Sequence, residues 1–237
     1  MLSGEVSASF AGKALPPLVV EGGDRGVEVV MANTPTLIER VFRLRYEVYC
    51  LEKQFESTEL QLTGYEQDKF DQHAVHTLLL DKHDRSERGT VRLVLPNETD
   101  QLPIYEISDA FAEAAGRDFP VETTAEASRF LRAAGDGGCR RSAAFETLAL
   151  MTGLTQMCWE HGISHLAALI TPPMLRMLHR FGMAFKPVGD PVDFRGKRHA
   201  CIYDLAKELP LLARERPEIW RVLTVGGHFF PRTALYL

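Results

Sequence analysis

Apolar residues return along this chain in two rhythms. Leu37, Val41, Leu44, Val48 and Leu51 recur every three or four positions, a spacing that lays one buried stripe along an α-helix. Thr34 or Thr36 can cap that helix, and Pro35 suits its first turn, where a missing N–H costs nothing. The same spacing brings Arg45 and Tyr49, four apart, together on a neighbouring face. Short apolar runs bounded by turn residues predict strands over Val27–Met31, Ala74–Leu80 and Gly89–Leu95, the last two joined as a hairpin through the charged His83–Arg88 connection. Beyond them the pattern predicts a short amphipathic helix over 106–115, a strand over Ala127–Leu131, and a long helix over Ser142–His161 stopped by Gly162. Ser164–Ile170 is apolar at nearly every residue, as in a strand covered on both faces. Thr171 caps a helix over Pro172–Phe181, Met183–Val188 and His199–Leu205 are strand-like, and a last helical stretch over 206–223 is interrupted by Pro210 and Pro217.

This order of elements predicts an α/β (α+β) chain in which helices flank a central mixed sheet. The sheet-bearing domain is expected over 27–205, after a Gly-, Ser- and Pro-rich arm over 1–26 and before a C-terminal helical extension over 206–237 packed on the same domain. The polar stretch Glu52–Lys69 is too long and mixed for a tight turn, so a surface loop closing over something is expected there. No GxGxxG joins a first strand to a first helix, which excludes a Rossmann pattern.

Composition narrows the class further. Of 237 residues, 45% are hydrophobic and 25% charged, values that exclude disordered and fibrous chains. A net charge of -5 argues against nucleic-acid binding. No apolar run approaches the roughly 18 to 20 residues of a bilayer span. Residues 1–10 lack the basic start and apolar block of a secretory signal. Cys50, Cys139, Cys158 and Cys201 are scattered without a CxxC pair, as expected of reduced thiols in a cytoplasmic protein. His73 and His76 are three apart near a strand start and so face opposite ways, and no metal site is expected.

Three groups of charges sit where charge needs a reason. They are Arg45 with Tyr49 and Phe55, then Asp68 and Asp71 followed by Arg92 inside the apolar run Val91, Leu93, Val94 and Leu95, and last Glu126-x-x-Arg129 at a strand beginning. An unpaired charge in a central strand is costly, so Arg92 is expected to have a carboxylate partner, with Asp68 and Asp71 as candidates. Structural ion pairing without chemistry is the competing reading.

In order and interval these residues resemble the pattern of the LuxI-type autoinducer synthases over roughly residues 37–170. Phe55 stands where that family has a tryptophan, and Ala127 where it has the first serine of the strand motif. The segment Met177–Cys201, with Arg180-Phe181-Gly182 and Gly189–Gly196, is more similar to the N-acyl amino acid synthases and the exosortase-associated (PEP-CTERM) acyltransferases. All of these resemble the GNAT fold, a V-shaped mixed sheet with helices around it. The resemblance implies transfer of a fatty acyl group to an amine, with no tightly bound cofactor. The donor it implies is the phosphopantetheine thioester of an acyl carrier protein, with acyl-CoA as the alternative. The acceptor is S-adenosylmethionine on one branch and an amino acid on the other.

Aminolysis of a thioester needs a neutral amine, a route for its proton and donors for the developing oxyanion. Glu126 is the candidate base, Arg129 its positioning partner or a carboxylate holder, and Ser128 lies between them without the His/Asp order of a nucleophilic triad. Backbone N–H groups near Arg129–Leu131 are candidate oxyanion donors. Arg45, Asp68, Asp71 and Arg92 are expected to hold the acceptor, Tyr49 and Phe55 to wall it, and Phe130 and Leu131 to line an acyl slot, with plain core packing as the competing reading for the last two. Arg132-x-x-Gly135-x-Gly137 matches the pyrophosphate loop of GNAT enzymes, or else is a simple turn. Residues 129–198 carry a local net charge of +5. Arg140, Arg141, Arg176 and Arg180 within them are expected to dock an acidic carrier protein, a solvated face being the alternative. A non-catalytic GNAT-like ligand-binding protein is the opposing functional class.

Overall fold

A computed structural model describes residues 18–22, 25–97, 101–133 and 140–231. The chain opens with strands Leu18–Gly22 (β1) and Arg25–Met31 (β2), followed by helix Pro35–Tyr46 (α1). Strands Ala74–Asp81 (β3) and Glu87–Val94 (β4), the short helix Asp109–Ala114 (α2), strand Thr124–Arg132 (β5) and helix Arg140–Glu160 (α3) come next. Strand His165–Ile170 (β6), helix Pro172–Arg180 (α4), strands Lys186–Pro187 (β7), Val192–Asp193 (β8) and Lys197–Asp204 (β9), and helices Leu205–Glu215 (α5) and Pro217–Leu223 (α6) complete it.

The strands form one mixed sheet in the order β1-β2-β3-β4-β5-β6-β9-β7, with β8 paired to β9. Every pairing is antiparallel except β5 with β6. That single parallel pair holds only from Thr124↔His165 to Ala127↔Ala168, although β5 runs on to Arg132. The two strands therefore part company halfway, which opens the central mixed sheet expected from the order of elements into the V shape that the family resemblance implies. Val29, Leu79, Val91, Leu93, Ala125, Leu166 and Ala168 point to one face, beneath α3, α4, α5 and α6. The opposite face packs α1 through Val41 and Leu44 and α2 through Phe111. Among the described residues no helix is long and apolar enough to cross a membrane.

Local chemistry explains where pattern and structure differ. Thr34 caps α1, its Oγ accepting from the Leu37 N–H. The helix then widens into a π-turn over Glu47–Glu52, with Lys53 N donating to Val48 O, five residues back. A wider turn breaks the three-and-four rhythm. Val41, Leu44 and Val48 stay buried, whereas Leu51 at the end of the predicted stripe is 54% exposed. Residues 18–22, read as part of a loop, form the edge strand β1. Strand β7 covers only two residues of the predicted Met183–Val188, and the equally short β8 had no periodic signal to betray it. In the C-terminal stretch Pro210 lies inside α5, while Pro217 starts α6.

Gly153 lets α3 lie close on the sheet. A Cβ there would sit 2.5 Å from Thr77 Cγ2 and 2.9 Å from Val29 Cγ1. Gly153→Ala gains helix propensity of about 1 kcal/mol but overpacks this contact, which costs typically ~1–3 kcal/mol. Urea denaturation is expected to show a net loss of stability.

Candidate functional site

The site is organised by an irregularity in β5. Arg92 pairs with Ser128 and Thr90 with Leu131, so β5 carries one residue more than β4 across this step. The extra residue is accommodated by Arg129 at φ +50°, a left-handed conformation that non-glycine residues adopt at a cost. The bulge aims Arg129 back across the sheet face. There it meets acidic residues delivered by the long polar loop after α1.

The result is a lattice of alternating charges. Arg45, with no exposed surface, donates Nε to Glu66 at 2.5 Å and grips Asp71 with both Nη atoms at 2.7 and 3.0 Å. Arg92 Nη1 reaches Asp68 at 2.6 Å and Asp71 at 2.9 Å, while its Nε donates to Ser128 Oγ at 3.0 Å. Arg129 donates to Glu66 at 2.8 Å, to Asp68 at 2.9 Å and to Glu56 at 3.4 Å, and Arg195 closes on the same Glu56 carboxylate. Four guanidinium groups thus face four carboxylates. Burial alone would raise the Glu66 carboxyl, but Arg45 and Arg129 overcome it and hold it down at about 2. The same contest leaves Asp71 well below the usual carboxylate range, through Arg45 and Arg92. His76, aligned with Arg92 on the neighbouring strand, is pushed down to about 3 by burial and by Arg45, and so is neutral. Asp68 and Asp71 also cap the short turn Lys69–His73 reciprocally, which fixes both side chains before any partner arrives.

Glu126 lies outside this compensation. It is 2% exposed, and its one resolved hydrogen bond is accepted from the Ile104 N–H at 2.6 Å. Burial pushes its carboxyl up to about 8, against the lowering effect of that bond and of Arg92 and Arg129.

A cavity of about 920 Å³ runs past these groups. Asp68, Arg92, Glu126, Ser128, Arg129 and Arg198 contribute its polar wall. Phe130, Met151, Leu154, Met174, Leu178 and Phe185 make an apolar end. Residues from both faces of the sheet line it, so it passes through the opening between β5 and β6. Tyr49 and Phe55 also line it, with ring centroids 6.1 Å apart, and the Arg129 guanidinium stacks over Tyr49 at 5.5 Å.

The structure brings together the sequence-predicted residues Arg45, Tyr49, Phe55, Asp68, Asp71, Arg92, Glu126, Ser128 and Arg129. It divides them by depth, because Arg45 and Asp71 sit behind the cavity wall, saturated by each other and by Glu66 and Arg92. Those two hold the acidic loop in place instead of touching the cavity. Leu131 and Phe130 both line it, Leu131 while buried against the α1 core. Arg176 and Arg180 are exposed on α4. The side chains of Arg140 and Arg141, and the Gly135 and Gly137 positions of the glycine-rich loop, lie outside the described residues. Sequence reasoning missed Glu56, Glu66, Arg195 and Arg198. The two glutamates sit in a loop with no periodicity, and the two arginines come from the β8–β9 hairpin, more than sixty residues away from Arg129.

An acetyltransferase (GNAT) domain family matches residues 44–134, the stretch that carries the bulge and every member of the lattice except Arg195. No curated protein matches the chain in sequence. Among solved structures, the AHL synthase LasI superposes with a TM-score of 0.62 at 17% identity, covering 89% of this chain and 97% of its own. The CoA-dependent acyl-homoserine lactone synthase BjaI, with SAM and isopentyl-CoA, gives 0.58 at 23% identity over 83% of this chain and 86% of its own. FeeM, an N-acyl amino acid synthase from uncultured soil microbes, gives 0.54 at 19% identity over 80% of this chain and 98% of its own. These likenesses establish the fold as that of the GNAT acyltransferases.

Glu66→Gln removes one carboxylate from beneath two arginines. A broken buried pair costs about 3–5 kcal/mol, and that loss is expected in urea titrations at pH 7. A lowered carboxyl contributes stability that is present above its unfolded value near 4.5 and lost as pH falls toward about 2. The gap between the Glu66→Gln variant and the parent is therefore expected to narrow as pH drops through that window.

Proposed function

We propose that this chain, built on the fold of the GNAT acyltransferases, transfers a fatty acyl group from the phosphopantetheine thioester of an acyl carrier protein to the amine of an amino-acid-type acceptor. The observation that carries this reading is the placement of Glu126. A carboxyl with its pKa pushed up to about 8 lines a cavity that joins a charged end to an apolar end. In direct aminolysis the amine lone pair forms the C–N bond, the C–S bond breaks, and the thiolate leaves. The proton shed by the attacking nitrogen needs a base whose affinity is near the working pH, and Glu126 supplies it at the carboxylate oxygen not held by Ile104. Arg92 and Arg129 favour the ionised form electrostatically, without contact, and the base is restored when Glu126 passes its proton to the departing thiolate or to solvent. Ser128 Oγ accepts from Arg92 Nε and so fixes the orientation of that guanidinium.

The opening between β5 and β6 suits the donor. Beyond Ala127 the edge of β5 facing β6 has no strand partner, so backbone N–H groups around the bulge serve the oxyanion. The acyl chain enters the apolar end, past Phe130, Met151, Leu154 and Leu178. Arg176 and Arg180 present positive charge on α4, whose first turn borders the cavity at Met174. That arrangement favours an acidic carrier protein. The CoA dependence of BjaI supports acyl-CoA as a second donor reading, since both donors present the same phosphopantetheine thioester. For the acceptor, BjaI with SAM and the N-acyl amino acid synthase FeeM support S-adenosylmethionine or an amino acid. The products would be an N-acyl homoserine lactone or an N-acyl amino acid.

Incubation with long-chain acyl carrier protein and an amine panel is expected to release free thiol and an N-acyl product, read by mass spectrometry. No turnover with any donor and amine pair sinks the enzyme reading. In the parent protein the base form of Glu126 grows as pH rises through about 8, so turnover is expected to climb between roughly pH 7 and 9. Glu126→Gln is expected to lose about tenfold or more and to flatten that limb. Reversing Arg176 and Arg180 to Glu is expected to raise KM for acyl carrier protein roughly tenfold at low salt, with the effect fading as ionic strength rises.

A further inference from the structure

The arginines of the cavity wall are not alike. Arg92, Arg129, Arg132 and Arg195 each pair with a carboxylate: Asp68, Glu66, Glu146 and Glu56 respectively. Arg198 lines the same cavity, half-buried, and forms no ion pair among the described residues. Its Nε donates to the Phe194 carbonyl at 2.8 Å, which fixes the guanidinium plane and leaves the terminal nitrogens unspent. Burial, first of all, and then Arg195 weaken its hold on its proton. The Tyr49 phenol is held neutral by burial. A half-buried cation without a counter-charge is costly, and every carboxylate of the lattice is already committed to another arginine.

We propose that Arg198 is the anchor for the acceptor's carboxylate, and that it selects acceptors that carry a free α-carboxylate over amines that lack one. This inference rests on the acyltransferase reading above. A guanidinium held by Nε offers two parallel N–H donors to a carboxylate, the strongest neutral-pH pairing available to either group. The anchor sits on the β8–β9 hairpin, whose turn at Arg195 and Gly196 adopts φ of +52° and +89°. That turn ties down to the acidic loop through Glu56, so the carboxylate end of the cavity is held by two elements. Tyr49, Phe55 and Phe194 line the same cavity, and their ring faces not covered by Arg129 and Arg195 are available to an apolar side chain. A carboxylate gripped in this way is also a poor internal nucleophile, because its lone pairs face N–H donors. The acylated product therefore leaves as an open-chain N-acyl amino acid, and not through ring closure by its own carboxylate.

Two measurements test the anchor. The first is calorimetric binding of N-dodecanoyl-phenylalanine and of its carboxamide, which requires no turnover. The parent is expected to bind the acid about tenfold to a hundredfold more tightly than the amide, the range of a charge-assisted pair. Arg198→Met is expected to erase that preference by weakening the acid alone, and Arg198→Lys to restore part of it. Equal or undetectable binding of acid and amide by the parent, or equal weakening of both by Arg198→Met, overturns the proposal. The second measurement is kinetic. Arg198→Met is expected to raise KM for phenylalanine by at least tenfold while KM for the acyl thioester stays in place. A rise in the thioester KM instead assigns Arg198 to the donor's phosphate and overturns the proposal. Absence of acylation with every amine refutes the acyltransferase reading, while the binding comparison still decides what Arg198 holds.

Discussion

Electroneutrality beneath the sheet opening is the constraint on which the rest depends. Four arginines reach one region from α1, β4, β5 and the β8–β9 hairpin. Unpaired, any of them would be too costly to bury. A single acidic loop answers them with Glu56, Glu66 and Asp68, and Asp71 follows in the short turn that ends it. Each carboxylate bridges two guanidinium groups, so removal of one leaves two charges uncompensated. The lattice therefore locks the loop to the sheet and gives the cavity a wall whose geometry is set before a ligand arrives.

The same principle, read in reverse, accounts for Glu126. It lies one strand-step from Arg92 and Arg129 but shares no hydrogen bond with either, so desolvation goes largely unanswered. Glu66 and Glu126 are both buried glutamates in one protein, yet their carboxyls are driven to about 2 and about 8. Contact with guanidinium groups separates them. Divergent environments for like groups are how acid and base roles become assigned. Their contributions to folding also carry opposite signs. The Glu66 pair loses strength as the solution is acidified, whereas the cost of burying a neutral Glu126 grows as pH rises from its ordinary value of 4.5 toward about 8.

Much of this was legible in the chain. Rhythm located most of the regular elements, since buried faces impose their period on the sequence. The need to pair Arg92 pointed to Asp68 and Asp71, because a charge inside an apolar strand demands an answer. Glu126 and Arg129 stood out by the same logic. Depth was not legible. Spacing could not say that Arg45 would be saturated behind the wall, or that the π-turn after α1 would expose Leu51. Glu66 and Glu56 escaped because a polar loop has no period against which a misplaced charge can be noticed. Arg195 and Arg198 escaped because their neighbours are distant in sequence, and only the closing of β8 on β9 carries them to the cavity. The bulge at Arg129 was equally hidden, since nothing local marks a non-glycine residue for positive φ.

The bulge and the splay of the sheet are best understood as one device. An unpaired strand edge leaves backbone donors and acceptors exposed, a state that proteins tolerate where solvent or a ligand completes them. Pairing of β5 with β6 ends at Ala127, and the bulge begins one residue later at Ser128–Arg129. The extra residue shifts the alternation of side chains, so that Arg129 turns toward the acidic loop while Phe130 packs toward α3. One irregular step thereby points a charge at one face and an aromatic ring at the other, on either side of the gap. A cavity that must receive a polar acceptor from one face and an apolar chain on the other needs such a switch at the point where the sheet opens.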